Sequence, residues 1–228
     1  MRRALASVST MLALGLLLTA CGSDEEEPPR VTAAQQCDGT LSPAAAGALE
    51  SVLGAKKFSA AGSGGLERAV NEVIEDQAAK GRPPGRRPMC QVKADAESRA
   101  GVDISFRLYE AADLYDDGTE WTAQGRYLYG MGREASADNK AAYLFVGCTS
   151  PRLKGSDEQP VPVESVLKFE KPVKGAYPDN TPATREAYLT VLHSVTLAVV
   201  KELQCKDNAG LGEKPVFEVK KWRGEQEG

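Results

Sequence analysis

From Val102 to Tyr109 the chain alternates without a break: Val102, Ile104, Phe106 and Leu108 are apolar, with Asp103, Ser105, Arg107 and Tyr109 between them. A period of two predicts a half-buried strand. Further strands are predicted around Gly125–Arg133, over Ala141–Cys148 after an Asp138-Asn139 turn, over Val163–Glu170, and in a short piece at Val216–Lys220. Asp116-Asp117-Gly118 reads as a hairpin turn. Pro160, Pro162 and Pro172 bracket the Val163–Glu170 run, which places it at a sheet edge.

Elsewhere the spacing is helical. Ser42 is a good N-cap, Pro43 suits the first helical position and Gly54 can close the end, so a helix is predicted over Pro43–Leu53. A second runs from Leu66 to about Lys80, with Leu66, Val70, Val73 and Ile74 near one face. Thr181 and Pro182 open a long third helix to about Gln204, on which Tyr188, Leu192, Val195 and Val199 fall at core spacing. The order predicts one α+β domain: an antiparallel sheet of about four to five strands, with the N-terminal helix pair and the long C-terminal helix on one face.

The first twenty residues follow neither pattern. Arg2 and Arg3 precede an uncharged Leu- and Ala-rich run from Ala4 to Thr19, and Leu18-Thr19-Ala20-Cys21 follows directly. The run is short for a spanning helix, which needs about 20 apolar residues. This segment resembles the lipobox signal peptide of bacterial lipoproteins. The resemblance implies cleavage after residue 20, lipidation of Cys21, and a protein held by lipid on the extracytoplasmic face of the cell membrane. The expectation is a surface lipoprotein of a Gram-positive bacterium, and the Ala-, Gly- and Arg-rich composition suggests a high-GC genome. Residues 21–36 then read as an acidic, Pro-containing tether, and 37–228 as the single domain.

Charge narrows the partners. The whole chain carries −4, and loss of Arg2 and Arg3 leaves 26 basic against 32 acidic residues, or −6. Nucleic acid is therefore not expected as a partner. The membrane, reached through lipid on Cys21, is, together with an envelope protein or a small ligand.

Four more cysteines, Cys37, Cys90, Cys148 and Cys205, make an even set in an exported chain and read as two disulfides. Four cysteines allow three connectivities and the sequence does not choose. Cys37–Cys90 with Cys148–Cys205 is favoured, because each bridge would join a helix end to a strand end.

Catalytic signatures are sparse. The sole histidine, His193, falls mid-helix beside the apolar face. Ser165-Val166-Leu167-Lys168 matches S-x-x-K, but in a strand Ser165 and Lys168 point to opposite faces, and the companion motifs are absent. Asp113, Asp117 and Gly118 fit three positions of a calcium loop, whereas Tyr115 and Gln124 stand where acids belong. No catalytic residue, cofactor or metal is expected. Eight of the fourteen aromatics lie between Phe106 and Phe145. Tyr109, Trp121, Tyr127 and Tyr129 form the expected binding surface, together with Arg82, Arg86 and Arg87 of the Arg-Pro loop 81–88. The expectation is a non-enzymatic binding or interaction domain. The alternative is a lipid or metabolite carrier or sensor with a pocket between the sheet and the C-terminal helix.

Overall fold

A computed structural model describes residues 29–60, 64–79, 85–94, 100–110, 114 and 125–220. In chain order these hold β1 (Arg30–Val31), α1 (Pro43–Leu53), β2 (Phe58–Ser59), α2 (Gly65–Ala78), β3 (Arg87–Lys93), β4 (Gly101–Leu108), β5 (Tyr127–Tyr129), β6 (Glu134–Ala137), β7 (Ala141–Cys148), β8 (Val161–Glu170), α3 (Pro182–Glu202) and β9 (Val219–Lys220). The class is α+β. Ser42 caps α1 by accepting the Ala45 N–H, and Gly54 ends it with φ +61°. Thr181 caps α3 in the same way, with Pro182 as the first helical residue.

The main sheet has seven antiparallel strands in the order β3-β4-β8-β7-β6-β5-β9, and β1 and β2 form a separate two-stranded ribbon. That exceeds the four to five expected. β3 escaped detection because Pro88 breaks its pattern, and the register shifts between Pro88 and Cys90. The run expected as one strand over 125–133 stops at Tyr129. A turn through Gly132, with φ +60°, then leads into β6.

β8 is not an edge strand. It lies between β4 and β7. Pro162 is tolerated there because its carbonyl accepts from Tyr109 N–H at 3.2 Å, just beyond the β4 ladder, which ends at Leu108–Val163. Within a strand, a residue's N and C=O point the same way, so the missing donor falls where that ladder has already ended.

The core lies between the helices and the sheet face carrying Ile104, Phe106, Leu144, Val146, Val163 and Leu167. α2 packs on β3 and β4, and α3 on β6, β7 and β8, whereas α1 lies against α3 instead of the sheet. The disulfides are Cys37–Cys90 and Cys148–Cys205. The folded part begins before Cys37. Arg30 and Val31 pair with β2, Ala33 and Gln36 are fully buried, and Gln36 donates to the Ser59 carbonyl at 3.0 Å. Residues 30–36, expected from the sequence to lie outside the domain, thus pair with β2 and contribute to its core. No helix among the described residues is long and apolar enough to cross a membrane.

Candidate functional site

The structure disperses the binding surface expected from the sequence. Cross-strand register puts Tyr127 and Tyr129 opposite Ala137 and Ala135, on the face covered by α3. Tyr129 is buried there, and its hydroxyl accepts from Arg185 Nε at 3.0 Å. Burial raises the Tyr129 phenol, with Arg185 acting against the rise. Tyr127 is 42% exposed and carries the Arg185 guanidinium over its ring at 3.6 Å. Tyr109 is buried too, edge-on to Phe145 with ring centroids 5.1 Å apart. Of the three tyrosines only Tyr127 stays exposed, and it lies on the α3 side of the sheet, so no outward tyrosine face forms.

The arginines are engaged as well. Arg87 makes a two-toothed pair with Asp76 of α2, at 2.8 and 3.2 Å. Arg86 lies 3.5 Å from the buried Glu164 carboxylate, which also accepts from Arg107 Nε. They tie elements of the fold together and so are not a free cationic loop. Cys21, Arg82, Trp121 and the Asp113–Glu120 cluster lie outside the described residues. Ser165 and Lys168 do face opposite ways: Ser165 Oγ is 2.7 Å from Thr196 Oγ1 inside the core, and Lys168 is exposed.

A different constellation gathers at the β6–β7 turn. Arg126, Asp138, Asn139, Lys140, Ala141, Tyr143, Lys168, Phe169 and Tyr177 line a cleft of about 530 Å³, within the range of small-ligand sites. Asp138 builds its wall. One carboxylate oxygen accepts from Lys140 and Ala141 N–H at 2.6 and 2.9 Å, which fixes the turn. The other accepts from Arg126 Nε and a terminal nitrogen at 3.2 and 3.0 Å. This ion pair is buried on both sides. With both oxygens engaged, Asp138 is a structural carboxylate and not a free base.

The aromatic rings hold the cations. The Arg126 guanidinium lies 4.6 Å over Tyr143, and Lys140 Nζ lies 5.5 Å over Tyr177. Tyr177 leans on Phe169, which stacks on Tyr188. Below them Asn139 donates to the Pro178 carbonyl, and its own carbonyl accepts from Tyr188. Lys140 and Lys168 have no carboxylate within ion-pair distance among the described residues. Asp103 stands opposite Lys168 across the β4–β8 pair, and its carboxyl is raised by burial and by Glu170 and lowered by Lys168 and Arg86. Among the described lining residues three cations stand against one carboxylate, on a net acidic chain.

Sequence reasoning missed this site. Its residues come from four separate stretches, and each alone reads as an ordinary surface Lys, Arg or Tyr. The nearest thing to a signal was the Asp138-Asn139 turn, which places Lys140 at the head of β7.

A second, smaller groove of about 270 Å³ runs between α3, residues 39–42 and the segment at Glu213–Pro215. His193 is buried in it with Nε2 unpartnered, and burial pushes its imidazole down against the pull of the Gly212 carbonyl and Glu213. Lys201 and Glu213 close the groove with a 2.8 Å ion pair. Neither cleft separates α3 from the sheet, where Leu192, Val195 and Thr196 are buried against the strands. Among the described residues no cluster of three His, Cys, Asp or Glu is placed to hold a metal. Set against known proteins, the chain matches no protein-family model, no curated relative and no solved structure.

Proposed function

We propose that this chain is a lipid-anchored, extracytoplasmic binding domain of the bacterial envelope, and that it holds a small anionic ligand in the Arg126–Lys140–Lys168 cleft without transforming it. The observation that carries the reading is a surplus of positive charge in one built cleft of an acidic chain, with Arg126 and Lys140 set in place by aromatic rings. A binding role also suits the chemistry of the lining, because the one carboxylate there is fully occupied. The anchor is supported by the Cys21 lipobox, and the oxidising side of the membrane by the two disulfides.

Two measurements test this. Calorimetric titration of the full chain in nonionic detergent with acetate, citrate and inorganic phosphate should give saturable binding of at least one anion, abolished in Lys140→Met/Lys168→Met. Saturation by none of them at millimolar concentration removes the ligand-binding reading. Separately, Cys21→Ala expressed in a Gram-positive host should lose labelling by radioactive palmitate and leave the membrane fraction. Unchanged labelling removes the anchor.

A further inference from the structure

His193 is 2% exposed, lines the groove beside α3, and leaves Nε2 without a hydrogen-bond partner. The Gly212 carbonyl acts on the ring as a hydrogen-bond acceptor. With Nε2 unpartnered, that bond falls to Nδ1. The proton therefore sits on Nδ1, and Nε2 presents a lone pair with no donor. A buried acceptor in this state destabilises the fold, and a ligand that brings a donor relieves the penalty.

The other polar side chains of the lining are in use. Ser194 Oγ accepts from Ser42 N–H at 2.8 Å and donates to the Thr40 carbonyl at 2.9 Å. Thr40 and Thr190 donate to the Cys37 and Glu186 carbonyls, both at 2.7 Å. Ser42 caps α1, and Lys201 and Glu213 hold each other. What remains is one acceptor framed by the apolar side chains of Leu41, Leu197 and Pro215. At about 270 Å³ the space falls below the usual range of small-molecule sites, about 300–1,000 Å³, which limits the body of a ligand to a single ring.

We infer that this groove is a second ligand site, independent of the anion cleft, and that it takes a small uncharged phenol whose hydroxyl donates to His193 Nε2. A charged ligand meets no spare counter-ion among the described lining residues, because Lys201 and Glu213 neutralise one another. A phenol, with an ordinary pKa of about 10, is a stronger donor than an aliphatic alcohol. Its ring supplies the apolar body that Leu41, Leu197 and Pro215 accept. Nε2 is shielded while the groove is closed, and it is reached by parting Lys201 from Glu213, an exposed and therefore weak pair.

His193 is the only histidine of the chain, so nitrogen-15-labelled histidine in the full chain, held in nonionic detergent, reports on this ring alone. Phenol at pH 7.5 should move the Nε2 resonance upfield and saturably, as for a ring nitrogen that gains a donor. Anisole, the same ring with its hydroxyl methylated, should bind about tenfold more weakly, the equivalent of one buried hydrogen bond. Cyclohexanol should bind about threefold more weakly than phenol. His193→Phe should bring phenol and anisole to similar affinity while the far-UV spectrum stays unchanged, and His193→Gln, which keeps an acceptor, should retain part of the preference. The wild-type titration decides the matter even if the phenylalanine variant does not fold. Equal affinity for phenol and anisole overturns the bond to Nε2, and equal affinity for phenol and cyclohexanol overturns the aromatic class. A resonance already at its hydrogen-bonded position and unmoved by phenol means a resident water only, and overturns the site. Silence towards all three compounds does the same. Each of these outcomes leaves the anion cleft to its own test.

Discussion

Asp38 Oδ2 accepts the backbone N–H of Leu66 at 2.7 Å, across 28 residues of chain. The N-terminus of α2 is thereby capped from a loop that the Cys37–Cys90 bridge holds in place. Gly64, at the local cap position, contributes no side chain, so the remote carboxylate supplies what the local sequence lacks. Gly65 makes the approach possible: its φ is +72°, and a Cβ there would come within 2.2 Å of the same Asp38 oxygen.

Asp38→Ala should cost about 1 kcal/mol of stability, the usual worth of an N-cap. Gly65→Ala should cost more, because it adds a clash to a left-handed backbone penalty of roughly 1 kcal/mol. In the Asp38→Ala background the clash is gone, so the two changes should be less than additive in urea denaturation. Strict additivity would mean that the contact does not form.

Arg185 joins three parts of the chain. It donates to the Tyr129 hydroxyl, to the Asn180 carbonyl and to Asn180 Oδ1, and it covers the Tyr127 ring. Arg185→Met should destabilise by about 2 kcal/mol, since the buried Tyr129 hydroxyl and two part-buried acceptors on Asn180 lose charge-assisted bonds. Arg185→Lys should recover little, because a point charge cannot serve all three acceptors and the ring at once. Chemical denaturation of both variants decides this; recovery by lysine to wild-type stability would contradict it.

The His193 imidazole is held below the ordinary value of 6.5 by burial. The unfolded chain therefore takes up its proton first as pH falls. The contribution of His193 is fully present above about pH 6.5 and is lost as pH drops through the folded value. Wild-type melting temperature should fall more steeply between pH 7.5 and 5.5 than that of His193→Gln. Parallel curves would show that other groups set the slope.

Asp103 works against the cleft, since its charge lies beside Lys168. Asp103→Asn should tighten anion binding by about twofold at low salt, the size expected of a screened surface charge. The gain should disappear in 0.5 M salt. Weaker binding in this variant would show that Asp103 orients Lys168.

Helix ends were legible where the cap lies next to the helix. Ser42-Pro43 and Gly54 bound α1, and Thr181-Pro182 opens α3, each by a local rule. The strand β7 was legible from its turn and its length. What depended on distant partners was not. Pro162 looked like an edge signal because nothing in the sequence shows that the β4 ladder stops at Val163. Tyr129 looked like a surface tyrosine until Arg185, 56 residues away, supplied its hydroxyl with a donor. Arg86 and Arg87 looked free for the same reason, with their carboxylates on β8 and α2. The cleft was least legible of all, because its charge surplus arises only when a turn, two strands and the segment before α3 converge.

The Cys37–Cys90 bond also governs how the domain bears load. A pull on its N-terminal end first meets the β1–β2 ribbon, two residue pairs that peel apart one after the other. It next reaches Cys37 and crosses directly to Cys90 on β3, short-circuiting α1 and α2. Those helices sit inside a covalent loop that carries no tension, so the strain is delivered to one outer strand of the main sheet. The Arg126–Lys140–Lys168 cleft begins at β8, with β4 between it and β3. A domain pulled from its N-terminal end would therefore yield first in the ribbon and keep its cleft intact.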